Sequence, residues 1–269
     1  MGNSTSHPSY LKFRLIDNKY VAEQLLADAE AIDFYLETCR HHFTNERARR
    51  RLTYAVNSIT PDEFTHYQSI LNAMVPRLPK RLQMDLHEID IIPLMPSADA
   101  GMPHTRPYQL VCFPQLDQIR TSMSTVIHEL WHVHQRKYMD TWTNVFRELG
   151  WTEWSGSLPT FLEKNRRLNP DTIDSPLWAY QDTWVPVPIF RDISLPTLNE
   201  VTIWFYHIKE DYHVTHVPKN ILTYFPNLPQ SAYEHPREIT AYLLADPQQY
   251  QDSPAMKRLL SSVGQLAIS

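Results

Sequence analysis

Apolar residues recur at helical spacing from Asp17 to His42, with Val21, Leu25, Ala29, Ile32, Tyr35 and Leu36 along one stripe. Residues 44–58, rich in arginine, read as a second helix. Thr60-Pro61-Asp62-Glu63 has the form of an N-cap with proline in the first turn, and the helix it opens is expected to run to about Val75, before Pro76. Glu88–Leu94 and Gln109–Phe113 have strand character, and the Pro- and Gly-containing stretch Met95–Pro107 reads as the loop between them. Thr121 or Ser122 can cap a helix reaching about Tyr138, and helical stretches follow near 142–150 and 158–168. Asn169–Leu198 is dense in proline and aromatics and reads as an ordered loop covering the core. Val201–Ile208 is β-branched and aromatic, as a strand requires. Pro236 opens a helix through about Ala245, and an amphipathic helix spans roughly 254–266.

Helices, then strands, then helices again predict an α+β fold, mainly helical with a small mixed sheet. Residues 1–16 are expected to form an extended N-terminal arm, and 17–269 a single domain. Hydrophobic residues make up 42% and charged residues 20%, which suits a folded chain with a sizeable core. Five scattered glycines remove any phosphate-binding loop and with it the nucleotide-binding folds built on one. A net charge of -5 gives no expectation of nucleic-acid binding. Arg47, Arg49, Arg50 and Arg51 form a basic cluster, read as a solvated helix face paired with acids rather than a targeting or phosphate-contacting patch. Two cysteines, Cys39 and Cys112, suit a reducing, cytoplasmic compartment, and no apolar run is long enough to cross a bilayer. Met1-Gly2-Asn3-Ser4-Thr5-Ser6 fits the N-myristoylation pattern, which makes Gly2 a candidate lipidation site and weak membrane or virion association its consequence. The plainer reading is a start that merely begins Met-Gly.

The chemistry concentrates in His128-Glu129-Leu130-Trp131-His132, an H-E-x-x-H within an uncharged stretch. On a helix, residues four apart share a face, so both imidazoles can bind one zinc ion. Glu129, rotated by about 100°, can act as general base on a water without replacing a ligand. A third ligand is needed. Gln135 and Tyr138 stand where a metzincin continuation would have Gly and His, so a more distant carboxylate must serve. Glu238, in the first turn of the helix opened by Pro236, is the leading candidate. Ala241, one turn on, would let that helix approach the histidines closely. Glu234 is the rival.

With Glu238-Ile239-Thr240-Ala241 downstream of H-E-x-x-H, the chain resembles a gluzincin, a zincin clan with a glutamate ligand on a second helix, often as E-x-x-A. The likeness covers these two helices. It implies a zincin-like fold around an H-E-x-x-H active-site helix, one zinc ion per chain, and a metallopeptidase acting on peptide or protein substrates through a zinc-activated water with Glu129 as base. Relatives often place an acid after the alanine to orient a histidine, where this chain has Tyr242. The clan also binds extended substrate along an edge strand before the active-site helix, and Gln109–Phe113 has that place in the order, or else is interior. Candidate transition-state stabilisers are Tyr233, Tyr242 and His213, with His216 and Arg237 behind them. His213 and His216 form an H-x-x-H, read as surface histidines rather than a second metal site, and His134 is expected to point away from the zinc. The alternative from another class is a catalytically silent zincin-fold protein, an interaction component or a structural part of a membrane or virion.

Overall fold

The computed structural model describes residues 11–42, 54–194, 196, 198 and 200–263. Gly2 and the arginine cluster lie outside these residues, as does most of the helix expected over 44–58. Residues 54–58 are not helical, and Val56 bridges to Leu94.

In chain order the elements are β1 (Lys12–Leu15), α1 (Lys19–Asp33), α2 (Tyr35–His42), α3 (Pro61–Met74), α4 (Lys80–Asp85), β2 (Glu88–Pro93), β3 (His104–Arg106), β4 (Leu110–Phe113), α5 (Asp117–Thr121), α6 (Met123–Lys137) and α7 (Met139–Glu148). They continue with β5 (Trp151–Trp154), α8 (Thr160–Asn165), β6 (Leu177–Tyr180), β7 (Trp184–Phe190), β8 (Val201–His207), β9 (Tyr212–Val214), α9 (Lys219–Tyr224), α10 (Pro236–Ala245), α11 (Pro247–Tyr250) and α12 (Pro254–Val263). The fold is α+β, with two sheets where one small sheet was expected.

The first sheet has the order β1-β2-β4-β3, with β1, β2 and β4 parallel and β3 antiparallel at the edge. Part of the expected arm is therefore a strand, with Phe13 opposite Ile89. Parallel strands are covered on both faces and read as continuous apolar runs. Here Ile89, Ile91, Val111 and Phe113 pack toward α3 and α6, while Ile92 and Cys112 pack toward α1. Cys39 and Cys112 are free, buried thiols. Among the described residues no helix is long and apolar enough to cross a membrane.

The helix expected from Asp17 to His42 breaks at Phe34, which adopts φ 50°. The Glu30 carboxylate accepts from the amides of Leu36 and Glu37, and Asp33 accepts from that of Tyr35, so α2 has its own N-terminal cap. The same two acids hold the buried Arg106 of β3.

The covering loop expected over 169–198 instead contains two strands, β6 and β7. β6 and β7 belong to a five-stranded antiparallel sheet of order β5-β6-β7-β8-β9. Pro186 and Pro188 of β7 argue against a strand on sequence, because proline donates no ladder bond. β7 meets β6 only at its first residue, Trp184, and the Pro188 carbonyl, on the side away from β8, accepts from the Arg167 amide. Both prolines place their nitrogens on that side, so the pairing with β8 loses nothing. Trp178, Tyr180, Ile203 and Phe205 of this sheet join the main core with α6 and α7.

Candidate metal centre

α6 begins where its sequence says it should: Ser122 Oγ accepts the Thr125 amide as N-cap. The helix is buried along most of its length, between the first sheet and α10. α10 opens on Pro236, with His235 as its N-cap. Ala241 is fully buried, and α10 packs against α6. Glu238, on the first turn of α10, thereby faces both histidines of α6.

The geometry is tight. His128 Nε2 and His132 Nε2 are 2.9 Å apart. Glu238 Oε2 lies 3.3 Å from His128 Nε2, and Glu238 Oε1 3.5 Å from His132 Nε2. Ligand atoms of the three residues lie within 4.8 Å of one another, and no other such group of His, Cys, Asp or Glu occurs among the described residues. Burial opposes ionisation of Glu238, but the two imidazoles outweigh it and hold its carboxyl well below the usual carboxylate range. Burial likewise opposes a charge on His132, yet the Glu238 and Asp171 carboxylates push it up to about 9. His128, buried beside His132, is held down. The two imidazoles and the Glu238 carboxylate thus turn their donor atoms toward one point. Two imidazoles and one carboxylate are the donor types that suit zinc.

The orienting group is Gln135. Its Nε2 donates to the Arg237 carbonyl and to Thr240 Oγ1, both at 3.0 Å. Its Oε1 must then face His132 Nδ1, 2.9 Å away, and accept from it. That assigns the Nδ1–H to Gln135 and turns Nε2 toward the cluster, the role the missing acid at Tyr242 was expected to fill. One side chain both orients His132 and ties α6 to α10. Its position three residues after His132, on the same helix face, was the available signal.

Glu234 is placed otherwise. It pairs with Arg167 and accepts from Asn169, whose Nδ2 also donates to Glu238 Oε1 at 2.8 Å. Glu234 and Glu238 therefore share the Asn169 amide as a donor. Tyr242 lines the cleft with its ring edge-on to His128 at 4.6 Å. Tyr233 does not: its hydroxyl donates to the Phe225 carbonyl inside the core. His213 stacks on Trp204 in the second sheet and is not among the residues lining the cleft, and His216 is exposed beyond β9. Arg237 is buried against Asp174 and the Asp171 carbonyl. His134 bonds Asp85 and Trp142, facing away from the cleft as expected.

A cleft of about 690 Å³ opens over the cluster, lined by His128, Glu129, Glu238, Asp171 and Tyr242 among others. Glu129 is 4% exposed, and its Oε2 is buried with no hydrogen-bond partner. Burial, with the Asp171 and Glu238 carboxylates nearby, pushes its carboxyl well above the usual range. The edge strand beside the cleft is β3, and Gln109–Phe113 supplies the interior strand β4. The Thr105 amide and hydroxyl of β3 both donate to Asp171 Oδ1, at 2.7 and 2.6 Å, so that edge is capped.

The N-cap of α10 gives a pH prediction. His235 Nδ1 accepts the Arg237 amide at 3.0 Å and its Nε2 faces the Pro176 carbonyl, so the ring is neutral. Burial and the Arg237 guanidinium hold it down to about 3. An unfolded histidine titrates near 6.5, so between these values the unfolded chain binds the additional proton. The stabilisation is complete above about pH 6.5 and is lost as pH falls toward 3, by up to about 1.4 kcal/mol per pH unit. Asparagine also caps helices. In urea denaturation at pH 7 and pH 5, His235→Asn is expected to lose less stability than wild type. An equal loss would remove His235 from the acid response.

Comparison with protein-family models, with curated proteins and with solved structures finds no match to this chain.

Proposed function

We propose that the protein is a zinc-dependent metallopeptidase of zincin-like design, with His128, His132 and Glu238 as ligands and Glu129 as general base. The observation that carries this reading is the convergence of His128, His132 and Glu238 from two helices beside a buried carboxylate oxygen that has no partner. A structural ion pair would not require Glu129 to remain unsatisfied at such a desolvation cost.

His128, His132 and Glu238 would hold the zinc, which would supply Lewis acidity toward a carbonyl oxygen and toward an attacking water. Gln135 and Asn169 hold His132 and Glu238 in orientation, so the donors need little rearrangement. Glu129 Oε2 takes the proton of the attacking water and passes it to the leaving amine. Tyr242, on the cleft wall beside His128, is the remaining candidate to donate to the developing oxyanion. The substrate is a peptide or protein segment. With the β3 edge capped by Asp171, cleft side chains rather than strand addition hold it.

The test is metal content together with turnover. Protein purified without chelator or metal-affinity resin is expected to carry about one zinc per chain. It should cleave members of a mixed peptide library by mass spectrometry, lose that activity to a chelator, and regain it with added zinc. A chain that neither contains nor takes up zinc would sink the reading. Zinc without turnover would favour the catalytically silent alternative.

A further inference from the structure

Between α8 and β6, residues 167–174 form neither helix nor strand, yet they are held at both ends and along their length. The Arg167 amide donates to the Pro188 carbonyl of β7, and its guanidinium pairs with Glu234. From α6, Arg136 donates to the Pro170 carbonyl at 2.9 Å. From α10, Arg237 Nη1 donates to the Asp171 carbonyl at 3.0 Å and pairs with Asp174. From β3, the Thr105 amide and hydroxyl donate to Asp171 Oδ1. The segment is thus a strap laid across the two helices that carry the cluster and the sheet edge beside them. Its ties are the hydrogen bonds and ion pairs of a turn, not those of a helix or a sheet ladder. Such a segment opens locally at a lower free-energy cost than the whole fold.

Asn169 joins the strap to the metal ligands. Its Nδ2 donates to Glu238 Oε1 at 2.8 Å, and its Oδ1 accepts the Asp171 amide at 3.0 Å. One side-chain amide therefore braces a ligand with its nitrogen and holds, with its oxygen, the turn that presents Asp171 to Thr105. We propose that strap closure and metal occupancy are coupled through Asn169, so that bound metal keeps residues 167–174 closed on β3 and its loss lets them open more often. The proposal rests on the metal reading above. The closed strap holds Glu238 beside the two imidazoles, so a metal binds the closed form more tightly. Binding free energies are reciprocal, and the metal then holds the strap shut by the same factor. An orienting partner of a ligand contributes about 10–100-fold in affinity, which sets the size of the effect. Opening withdraws Asp171 and leaves the outward amide of the edge strand β3 unpaired.

Amide hydrogen exchange tests the coupling in the full chain, zinc-free and zinc-loaded, with zinc bound per chain measured alongside. Three amides report on the strap: Thr105 donates to Asp171, Asp171 to Asn169 Oδ1, and Thr172 to the Asn169 carbonyl. All three are expected to exchange about 10–100-fold more slowly with zinc bound. The β8–β9 hairpin, none of whose residues line the cleft, is the reference and should change little. In Asn169→Ser the slowing should vanish, because serine can still accept the Asp171 amide but is too short to reach Glu238 as well. Bound zinc with unchanged strap exchange overturns the proposal and leaves the metal reading intact. So does a slowing that the hairpin shares in full, or one that survives in Asn169→Ser. The wild-type comparison decides even where the variant fails to fold. A chain that takes up no zinc ends the metal reading, and this proposal ends with it.

Discussion

Glu238→Ala is expected to cost the protein its metal, with affinity falling by more than the 10–100-fold typical of losing an orienting partner. The substitution removes the carboxylate that, among the described residues, lies within 4 Å of both imidazoles, and Asn169 Nδ2 loses one of its acceptors. Glu234 is not expected to take over, because Arg167 and Asn169 engage its two carboxylate oxygens. Competition with a chromophoric zinc chelator measures the effect. Gln135→Leu provides the internal standard. It leaves all three ligands but removes the acceptor of His132 Nδ1 and the tie to Arg237, so its loss should fall within about 10–100-fold. Unchanged affinity in Glu238→Ala would exclude that residue as a ligand, and Glu234→Ala would be measured next. Equal losses in the two variants would place Glu238 in a supporting role.

Glu129→Gln is expected to separate metal from turnover most sharply. The amide keeps the shape of the side chain and cannot accept a proton, so kcat should fall by about 10²–10⁴-fold while zinc content is unchanged. Stability provides the control. Burial raises the Glu129 carboxyl well above its ordinary range in the metal-free fold. A carboxyl raised on folding contributes stability below its unfolded pKa and loses it as pH rises through the folded one. At neutral pH the neutral amide avoids that cost, so the metal-free variant should melt no lower than wild type. Full activity in Glu129→Gln would end its assignment as base. Loss of zinc along with activity would show that the carboxylate supports the ligands rather than the reaction.

Much of this site was legible because it rests on local rules. His128 and His132 share a helix face by spacing alone, Ser122 caps the helix, and Pro236 fixes where α10 begins and hence where Glu238 stands. Ala241 marked a close helix approach for the same reason. The second sheet was not legible. The prolines of β7 suit a strand only when the side facing away from β8 is left free of ladder pairing, and that depends on Arg167 and on where β6 diverges. The Phe34 break was hidden as well: Glu30 and Asp33, which cap α2, also pair with Arg106, more than seventy residues away.

The sequence by itself determined which atoms could do chemistry: two imidazoles one helical turn apart, a carboxylate beside them, and a choice of two glutamates downstream. Only the tertiary structure placed Glu238 beside the two imidazoles and Glu234 against Arg167, bonded Gln135 to His132 and Asn169 to Glu238, kept Tyr233 and His213 out of the cleft, and bonded the Thr105 amide of β3 to Asp171. The reason is range. Helical periodicity and capping act within a few residues and leave their mark on the order of the chain. Hydrogen bonds between side chains a hundred residues apart depend on how α6, α10 and the segment after α8 pack, and packing appears in the sequence only as burial.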